Sequence, residues 1–106
     1  MSSPFDLTHV DNIVHARVRL AVLTFLASVD GADFNAIRAA TKTTEGNLSV
    51  HLQKLHEAGY VKVTKSFLDR RPNTRAEITD TGRDALIAYI DAVEAAFEKV
   101  RNAFRG

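Results

Sequence analysis

The sequence predicts a mainly α fold with a small β-hairpin (α+β), in a single domain of 106 residues. Three observations favour this prediction. Apolar residues recur at helical spacing in three stretches before residue 60, and again from residue 80 to the C-terminus. Residues 60–78 instead alternate apolar and polar side chains on either side of a turn-forming segment, which is typical of a hairpin. A chain of this length can bury its own core, yet oligomerisation is an easy source of further stability.

Composition and charge narrow the class of protein. The chain has no cysteine, which excludes disulfides and thiolate metal sites and is typical of a reducing, intracellular compartment. No run approaches the roughly 18 apolar residues of a membrane span, so we expect a cytoplasmic protein without membrane contact. The formal net charge is only +1, but residues 42–75 hold seven lysines and arginines against three carboxylates. The positive charge is therefore concentrated in the middle of the chain.

The first predicted helix covers roughly residues 11–29. Its polar side is a thin seam at helical spacing, and large apolar residues occupy most of the remaining circumference. The seam consists of Arg17, Ala21, Thr24 and Ser28. Because the apolar arc is too wide for one neighbour, we expect this helix to be contacted both by its own domain and by another surface.

A short second helix is predicted to follow an extended link at residues 32–34 and to end at about Thr41. Asp33 or Asn35 can cap its N-terminus. Its inward-facing positions are predicted to be Phe34, Ile37 and Ala40. Lys42 and Thr43 then form a tight connection to the next helix.

The third helix, within residues 43–61, is predicted to have two chemically different faces. Leu48, Leu52 and Leu55 are spaced i, i+4 and i+7, so they form a narrow apolar stripe toward the core. The opposite face offers hydrogen-bonding groups and little bulk, which suits contact with the edges of DNA bases. Its residues are Gly46, Asn47, Ser49, Val50, Gln53 and Lys54.

Both ends of this helix carry recognisable signals. Thr43 or Thr44 can cap its first turn, and Gly59 supplies a left-handed exit. Gly46 inside the first turn costs roughly 1 kcal/mol relative to alanine. An advantage elsewhere should offset this cost, and close approach of the backbone to a phosphate or base is one candidate.

Two helices joined by a turn of three or four residues, the second with a polar face, form a helix-turn-helix. Residues 60–67 and 74–78 then alternate as strands, and residues 68–73 contain several turn formers. The hairpin that they predict has Arg70 and Arg71 near its tip, as in the wing of a winged helix. Contact with phosphate and simple solvation are about equally good interpretations of these arginines on their own.

The last helix is predicted to start after Thr79, which can cap it, and to reach about Phe104. Its apolar residues follow steps of 4, 3, 4, 3 and 4, which is a heptad seam. The seam consists of Leu86, Ile90, Val93, Phe97, Val100 and Phe104. Such a helix is about 37 Å long, more than the small domain before it can cover. We therefore expect homodimerisation through the seam; the alternative is that the helix folds back over the first helix.

Three short motifs occur in order: L-S-x-H-L-x-K-L-x-x-A-G-Y-V over residues 48–61, R-R-P over 70–72 and I-T-x-T-G-R over 78–83. Together they resemble the compact winged helix-turn-helix transcriptional regulators of the MarR/ArsR type, over about residues 12–90. The resemblance implies a winged-helix core at residues 9–79 and a C-terminal dimerisation helix at residues 80–105.

The resemblance also implies a function. Such proteins are dimers whose third helix enters the major groove of DNA and whose wing touches the minor groove or the backbone. Members of the family often sense a ligand or a metal, but this chain lacks the cysteines of thiolate metal sites. An unknown small-molecule effector would fit a cleft between the first helix, the base of the wing and the partner's last helix.

The four histidines offer an alternative, catalytic or metal-binding interpretation. They are His9, His15, His51 and His56. Their spacing places no pair of ligands on one helical face, and no nucleophile triad or phosphate-binding glycine loop accompanies them. For His51 we expect a hydrogen bond within the domain or to a phosphate. We therefore expect no enzymatic activity, no cofactor and no metal.

These observations predict a sequence-specific, homodimeric transcription regulator that binds double-stranded DNA. The residues predicted to contact bases are Asn47, Ser49, Val50, Gln53 and Lys54. The residues predicted to contact phosphates or the minor groove are Thr44, Lys65, Arg70, Arg71 and Arg75. The alternative is a winged-helix module whose polar face binds an acidic protein partner.

Overall fold

A computed structural model describes residue 7 and residues 10–105, so the interpretation of His9 lies outside the described residues. The elements are α1 (Arg17–Ala27), β1 (Ala32–Asp33), α2 (Phe34–Thr41), α3 (Glu45–Glu57), β2 (Val61–Leu68), β3 (Arg71–Ile78) and α4 (Asp80–Arg105). The three strands form one antiparallel sheet in the order β1-β3-β2. The predicted fold class, a winged helix-turn-helix with a long C-terminal helix, is confirmed.

Helix α1 begins at Arg17, so the predicted start near residue 11 is wrong. The Asp11 carboxylate accepts hydrogen bonds from the backbone N–H groups of Ile13 (2.7 Å) and Val14 (3.3 Å) and so stabilises an isolated turn. Ala16 then adopts an extended conformation, which separates this turn from the helix. A capped turn and a true helix start carry the same sequence signal, which explains the error.

The core lies between α1, α2, α3, the base of the sheet and the first turns of α4. Its buried residues are Val14, Val22, Leu23, Leu26, Ala32, Ile37, Leu48, Leu52, Leu55, Val61, Ala76, Ile78 and Leu86. The apolar arc of α1 is largely covered by this core, since Val18, Leu20 and Phe25 also pack against it in part. These three side chains are only partly buried, so the expectation of a second surface on α1 stays a prediction.

Helix α2 is capped by Asp33, whose carboxylate accepts the backbone N–H of Ala36 at 2.8 Å. Ile37 is buried as predicted, but Ala40 is exposed. Thr41, four residues after Ile37, is partly buried instead and donates a hydrogen bond to the Ile37 carbonyl at 2.7 Å. The inward stripe of this short helix therefore continues at i+4 rather than at i+3.

The wing differs from its prediction in the length of its turn. Strands β2 and β3 pair from Val61 and Ile78 out to Leu68 and Arg71, so only two residues connect them. These two residues, Asp69 and Arg70, have φ values of 49° and 69°. Two left-handed residues form the tight turn that suits the twist of a hairpin. The predicted loop over residues 68–73 is therefore wrong.

The predicted extended link before α2 is a third strand, because Ala32 pairs with Ala76 and Asp33 with Arg75. Strand β3 is thus central at its C-terminal end and an edge strand toward the tip. Pro72 lies in the edge part, where its missing N–H leaves no ladder hydrogen bond unmade. The strand therefore tolerates a proline that the sequence pattern places in a turn.

The start of α4 is fixed to the junction between α3 and the wing. The Thr79 hydroxyl accepts the Gly82 N–H at 3.0 Å and donates to the Gly59 carbonyl at 2.6 Å. Gly82 is buried, and a Cβ atom there would collide with the carbonyl oxygen of Tyr60. The T-x-x-G motif thus lets the first turn of α4 approach the backbone that follows α3.

The heptad seam of α4 leaves the core as the helix proceeds. Leu86 is buried and Val93 partly buried. The other seam residues are exposed by 38% at Ile90, 60% at Phe97, 44% at Val100 and 88% at Phe104. At 26 residues the helix is about 39 Å long. Among the described residues, no helix has an apolar stretch long enough to cross a bilayer.

Candidate nucleic-acid interface

Helix α3 separates a buried face from an uncovered one. Leu48, Leu52 and Leu55 are buried against the core. All five residues predicted to contact bases are exposed: Asn47, Ser49, Val50, Gln53 and Lys54. Val50, the apolar member of this set, is 54% exposed. None of these side chains is used to close the core, so the face is free to meet another molecule.

The N-terminus of α3 lies at the same surface. Thr44 is the capping residue, and its hydroxyl accepts the backbone N–H of Asn47 at 3.2 Å. No atom lies within 4 Å of the position that a Cβ on Gly46 would occupy. Packing within the described chain therefore does not explain why a glycine is present in this turn.

Gln53 is oriented by its own helix. Its amide donates to the carboxylate of Glu57 at 3.0 Å, one turn further along the exposed surface. Such a pair contributes a few tenths of a kcal/mol to an isolated helix, so about this much opposes any rotation of the Gln53 side chain toward another partner.

Lys65 lies on the face of the wing that turns toward α3. Lys65 pairs with Thr74, which lies two positions from the buried Ala76 on β3. Residues two apart on a strand share a face, and so do residues directly opposite each other in a ladder, so Lys65 lies on the same face as Ala76. A cleft of about 570 Å³ separates this face from α3. Its lining residues are Phe34, Ser49, Leu52, Gln53, His56, Val63, Lys65 and Thr74. The helix and the wing thus border one continuous concave surface.

The three predicted arginines of the wing occupy different places. Arg70 lies in the turn, and Arg71 begins β3 on the outer face of the hairpin, opposite Leu68. Arg75 lies at the base of the wing, where its guanidinium donates to the Asp30 carbonyl at 3.3 Å and covers Gly31. Arg75 is thus held against its own chain, four positions after Arg71 along β3.

The tip also carries two large apolar side chains that the sequence reasoning did not single out. Phe67 is 74% exposed and Leu68 is 61% exposed. The sequence does carry a signal for them, because Phe67 and Leu68 are adjacent and both apolar. A strand that alternates apolar and polar residues should have only one apolar residue in such a pair.

His51 connects the buried side of the interface to the segment before α1. Arg19 donates to His51 Nδ1 at 3.1 Å and also to the carbonyl oxygens of Ile13 (2.6 Å) and Asn12 (3.2 Å). The hydrogen bond within the domain that we expected for His51 is therefore present. Burial, followed by the nearby charges of Arg19 and Lys54, lowers the pKa of His51.

Asp11 and Tyr60 connect the same segment to the end of α3. Partial burial opposes ionisation of Asp11, but hydrogen bonds from the Tyr60 hydroxyl and from the N–H groups of Ile13 and Val14 outweigh it, so its pKa is lowered. The hydrogen bond to Asp11, together with burial, raises the pKa of Tyr60 to about 12. These contacts hold the segment against the middle of α3 at His51 and against the residues that follow its C-terminus at Tyr60.

The remaining histidines make local contacts. His15 Nδ1 lies 2.9 Å from the Tyr89 hydroxyl on α4, and His56 Nδ1 lies 3.4 Å from the Val61 carbonyl oxygen. Within residues 10–105, no group of three or more histidines and carboxylates is arranged to hold a metal ion.

A leucine-striped helix with an uncovered polar face, preceded by a short helix and followed by a basic hairpin, defines a winged helix-turn-helix domain. The chain belongs to the winged helix DNA-binding domain family, whose model matches residues 18–97. Members of this family are DNA-binding regulators of transcription rather than enzymes, as the sequence predicted.

The chain is also similar to a relative and to solved structures. The chain is 37% identical over 78 residues to an uncharacterised protein of Methanocaldococcus jannaschii, which covers 74% of this chain and 85% of that protein. A transcriptional regulator homologue from Pyrococcus horikoshii OT3 is 32% identical, with a TM-score of 0.78 over 85% of this chain and 89% of its own. The structure of MarR shares the fold at 17% identity, with a TM-score of 0.73 over 92% of this chain and 69% of its own. The predicted class, a winged helix-turn-helix transcriptional regulator, is confirmed, and the likeness to MarR is a likeness of fold.

Proposed function

We propose that this chain regulates transcription as a sequence-specific homodimer, with α3 in the major groove and the wing against the backbone or the minor groove. The observation that supports this most directly is the uncovered polar face of α3, opposite three fully packed leucines. A helix with such a face fits the major groove, which is about 12 Å wide and presents hydrogen-bonding groups that differ between base pairs.

The exposed seam of α4 supports the proposed dimer. Its seam exposes Ile90, Phe97 and Phe104 at heptad spacing, and a second copy of the same helix would cover them. Two-fold symmetry then predicts an inverted-repeat site whose half-sites lie about 34 Å apart, one turn of DNA.

The contacts can be assigned by chemistry. Asn47 and Gln53 suit adenine, Lys54 suits guanine, and Val50 suits a thymine methyl group, with Ser49 tolerant of either partner. Phosphate contacts are assigned to Thr44, Lys65, Arg70 and Arg71. Arg75, which is hydrogen-bonded to Asp30, would contribute less than the sequence suggested. A small-molecule effector remains a prediction of the family resemblance, without a chemical class.

Selection of bound duplexes from a random pool tests the proposal and reports the symmetry of the site. On the selected site, Gln53→Ala should lose roughly 1 to 3 kcal/mol of binding free energy, and little on random DNA. Glu57→Ala is the matched control, because it removes the intrahelical partner of Gln53 and leaves the amide free. Equal losses on both DNAs for Gln53→Ala would contradict the proposed contact with bases.

The second candidate function is a module that binds an acidic protein through the same face. The cationic segment at residues 42–75 is compatible with either partner. Retention on a random duplex separates the two, because release of counterions makes DNA binding fall steeply with salt. Retention that is absent at low salt would favour the protein partner.

A further inference from the structure

The tip of the wing exposes the two most uncovered apolar side chains of the β-sheet. Phe67 and Leu68 are 74% and 61% exposed, although they are the last residues of a fully paired strand. The register places them on opposite faces, Phe67 across from Pro72 and Leu68 across from Arg71. The tip therefore has an apolar surface on both sides, without cover from the described chain.

The shape of the tip is narrow and well defined. The ladder continues to the last pair before a two-residue turn, whose residues both have positive φ. Paired strands lie about 4.8 Å apart, and the minor groove of B-DNA is about 6 Å wide. Because side chains on both faces make the ribbon wider than its backbone spacing, Phe67 and Leu68 can enter only as the groove opens, which is what apolar wedges cause when they unstack base steps and kink the duplex.

The charge of the tip favours a polyanion over a second apolar surface. Arg70 and Arg71 lie directly beside the apolar pair, and both are exposed. Asp69 is the one carboxylate in the turn, where aspartate suits the left-handed conformation. Apolar wedges beside arginines are the combination by which proteins enter and deform the minor groove.

We propose that the wing tip is a minor-groove wedge, in which Phe67 and Leu68 pack against deoxyribose and partly opened base steps while Arg70 and Arg71 contact the flanking phosphates. This inference rests on the proposed function and extends it. The wedge selects sequence without hydrogen bonds to bases, because flexible pyrimidine–purine steps cost less to open than stiff ones. Phe67 is then a specificity-determining residue for positions outside the sites contacted by α3.

The test is selection from a random duplex pool with the full chain and three variants. Phe67→Ala should keep the half-sites contacted by α3, lose the preference at the flanking positions and bind about tenfold more weakly. Phe67→Leu retains an apolar side chain and should keep most of the preference. Ile87→Ala is the matched control, because it truncates another exposed apolar side chain, 57% exposed, on α4.

The outcomes separate the two proposals. If Phe67→Ala selects the same flanking positions with the same affinity as the unmodified chain, the wedge is overturned while the role of α3 stands. That result would leave the apolar tip to a protein partner. If the unmodified chain selects no sequence at all, the proposed function fails and the wedge with it. The variants should unfold at the same temperature as the unmodified chain, since the side chains of Phe67 and Ile87 both lie outside the core.

Discussion

Helices α3 and α4 each leave one face uncovered, and the two faces have opposite chemistry. The uncovered face of α3 carries the amide of Asn47, the hydroxyl of Ser49 and the ammonium group of Lys54. The uncovered face of α4 carries Phe97 and Phe104. A polar face is stable in water with or without its partner, whereas an apolar seam is stabilised by burial. This difference supports the proposal that α3 has a transient partner and α4 a permanent one.

The largest expected effect follows from burying a charge in the α4 seam. In the proposed dimer, Phe97→Asp would place a carboxylate against the second copy, and an unpaired buried charge costs about 3 to 5 kcal/mol. We expect a monomer in sedimentation equilibrium and loss of affinity for an inverted-repeat site, because each half-site must then be bound alone. Glu94→Ala, on an exposed position of the same helix, is the control. A Phe97→Asp chain that remains dimeric would show that the seam is not the interface.

Gly46→Ala should move stability and DNA affinity in opposite directions. The site is open, so alanine meets no atom and should raise the free energy of unfolding by up to about 1 kcal/mol. If the glycine is present so that DNA can approach the backbone, the same substitution weakens binding. Urea unfolding and a binding titration measure the two effects. Unchanged DNA affinity in a stabilised variant would remove Gly46 from the interface.

Much of α3 could be predicted because its signals are local. The leucine spacing, a threonine cap and Gly59 at φ 80° all lie within one helix and its two ends. The structure reduces the choice of cap to Thr44. The polar surface on the other side then follows from helical geometry alone.

The features that sequence reasoning missed depend on distant partners. Strand β1 has two residues and exists only because Ala32 pairs with Ala76. Nothing in the order of residues indicates that Arg19 reaches His51, 32 positions away. The tight wing turn was missed for a different reason, because Arg70 adopts a left-handed conformation that arginine rarely favours.

Arg71→Ala and Arg75→Ala compare the tip of the wing with its base. Arg71 is exposed at the tip, whereas the Arg75 guanidinium is hydrogen-bonded to Asp30. Loss of one phosphate contact should flatten the slope of log affinity against log salt by about one unit for Arg71→Ala. Arg75→Ala should flatten it less. Titrations at several salt concentrations, on cognate and random duplexes, measure both slopes, and equal slopes for the two variants would contradict this assignment.

The smallest expected effect concerns the buried side of α3, where Arg19 donates to His51 and so requires a neutral ring. The pKa of His51 is lowered from 6.5, so below that value the unfolded chain binds a proton that the folded chain resists. The neutral ring of His51 therefore contributes its full stabilisation of the folded chain above about pH 6.5, and this contribution is lost as the pH falls through the lowered pKa of His51. Asp11 titrates below this range. Between pH 7 and pH 5, the chain should therefore lose more unfolding free energy than His51→Gln does, as measured by urea denaturation. Parallel curves would mean that the neutral ring contributes nothing to holding α3 in place.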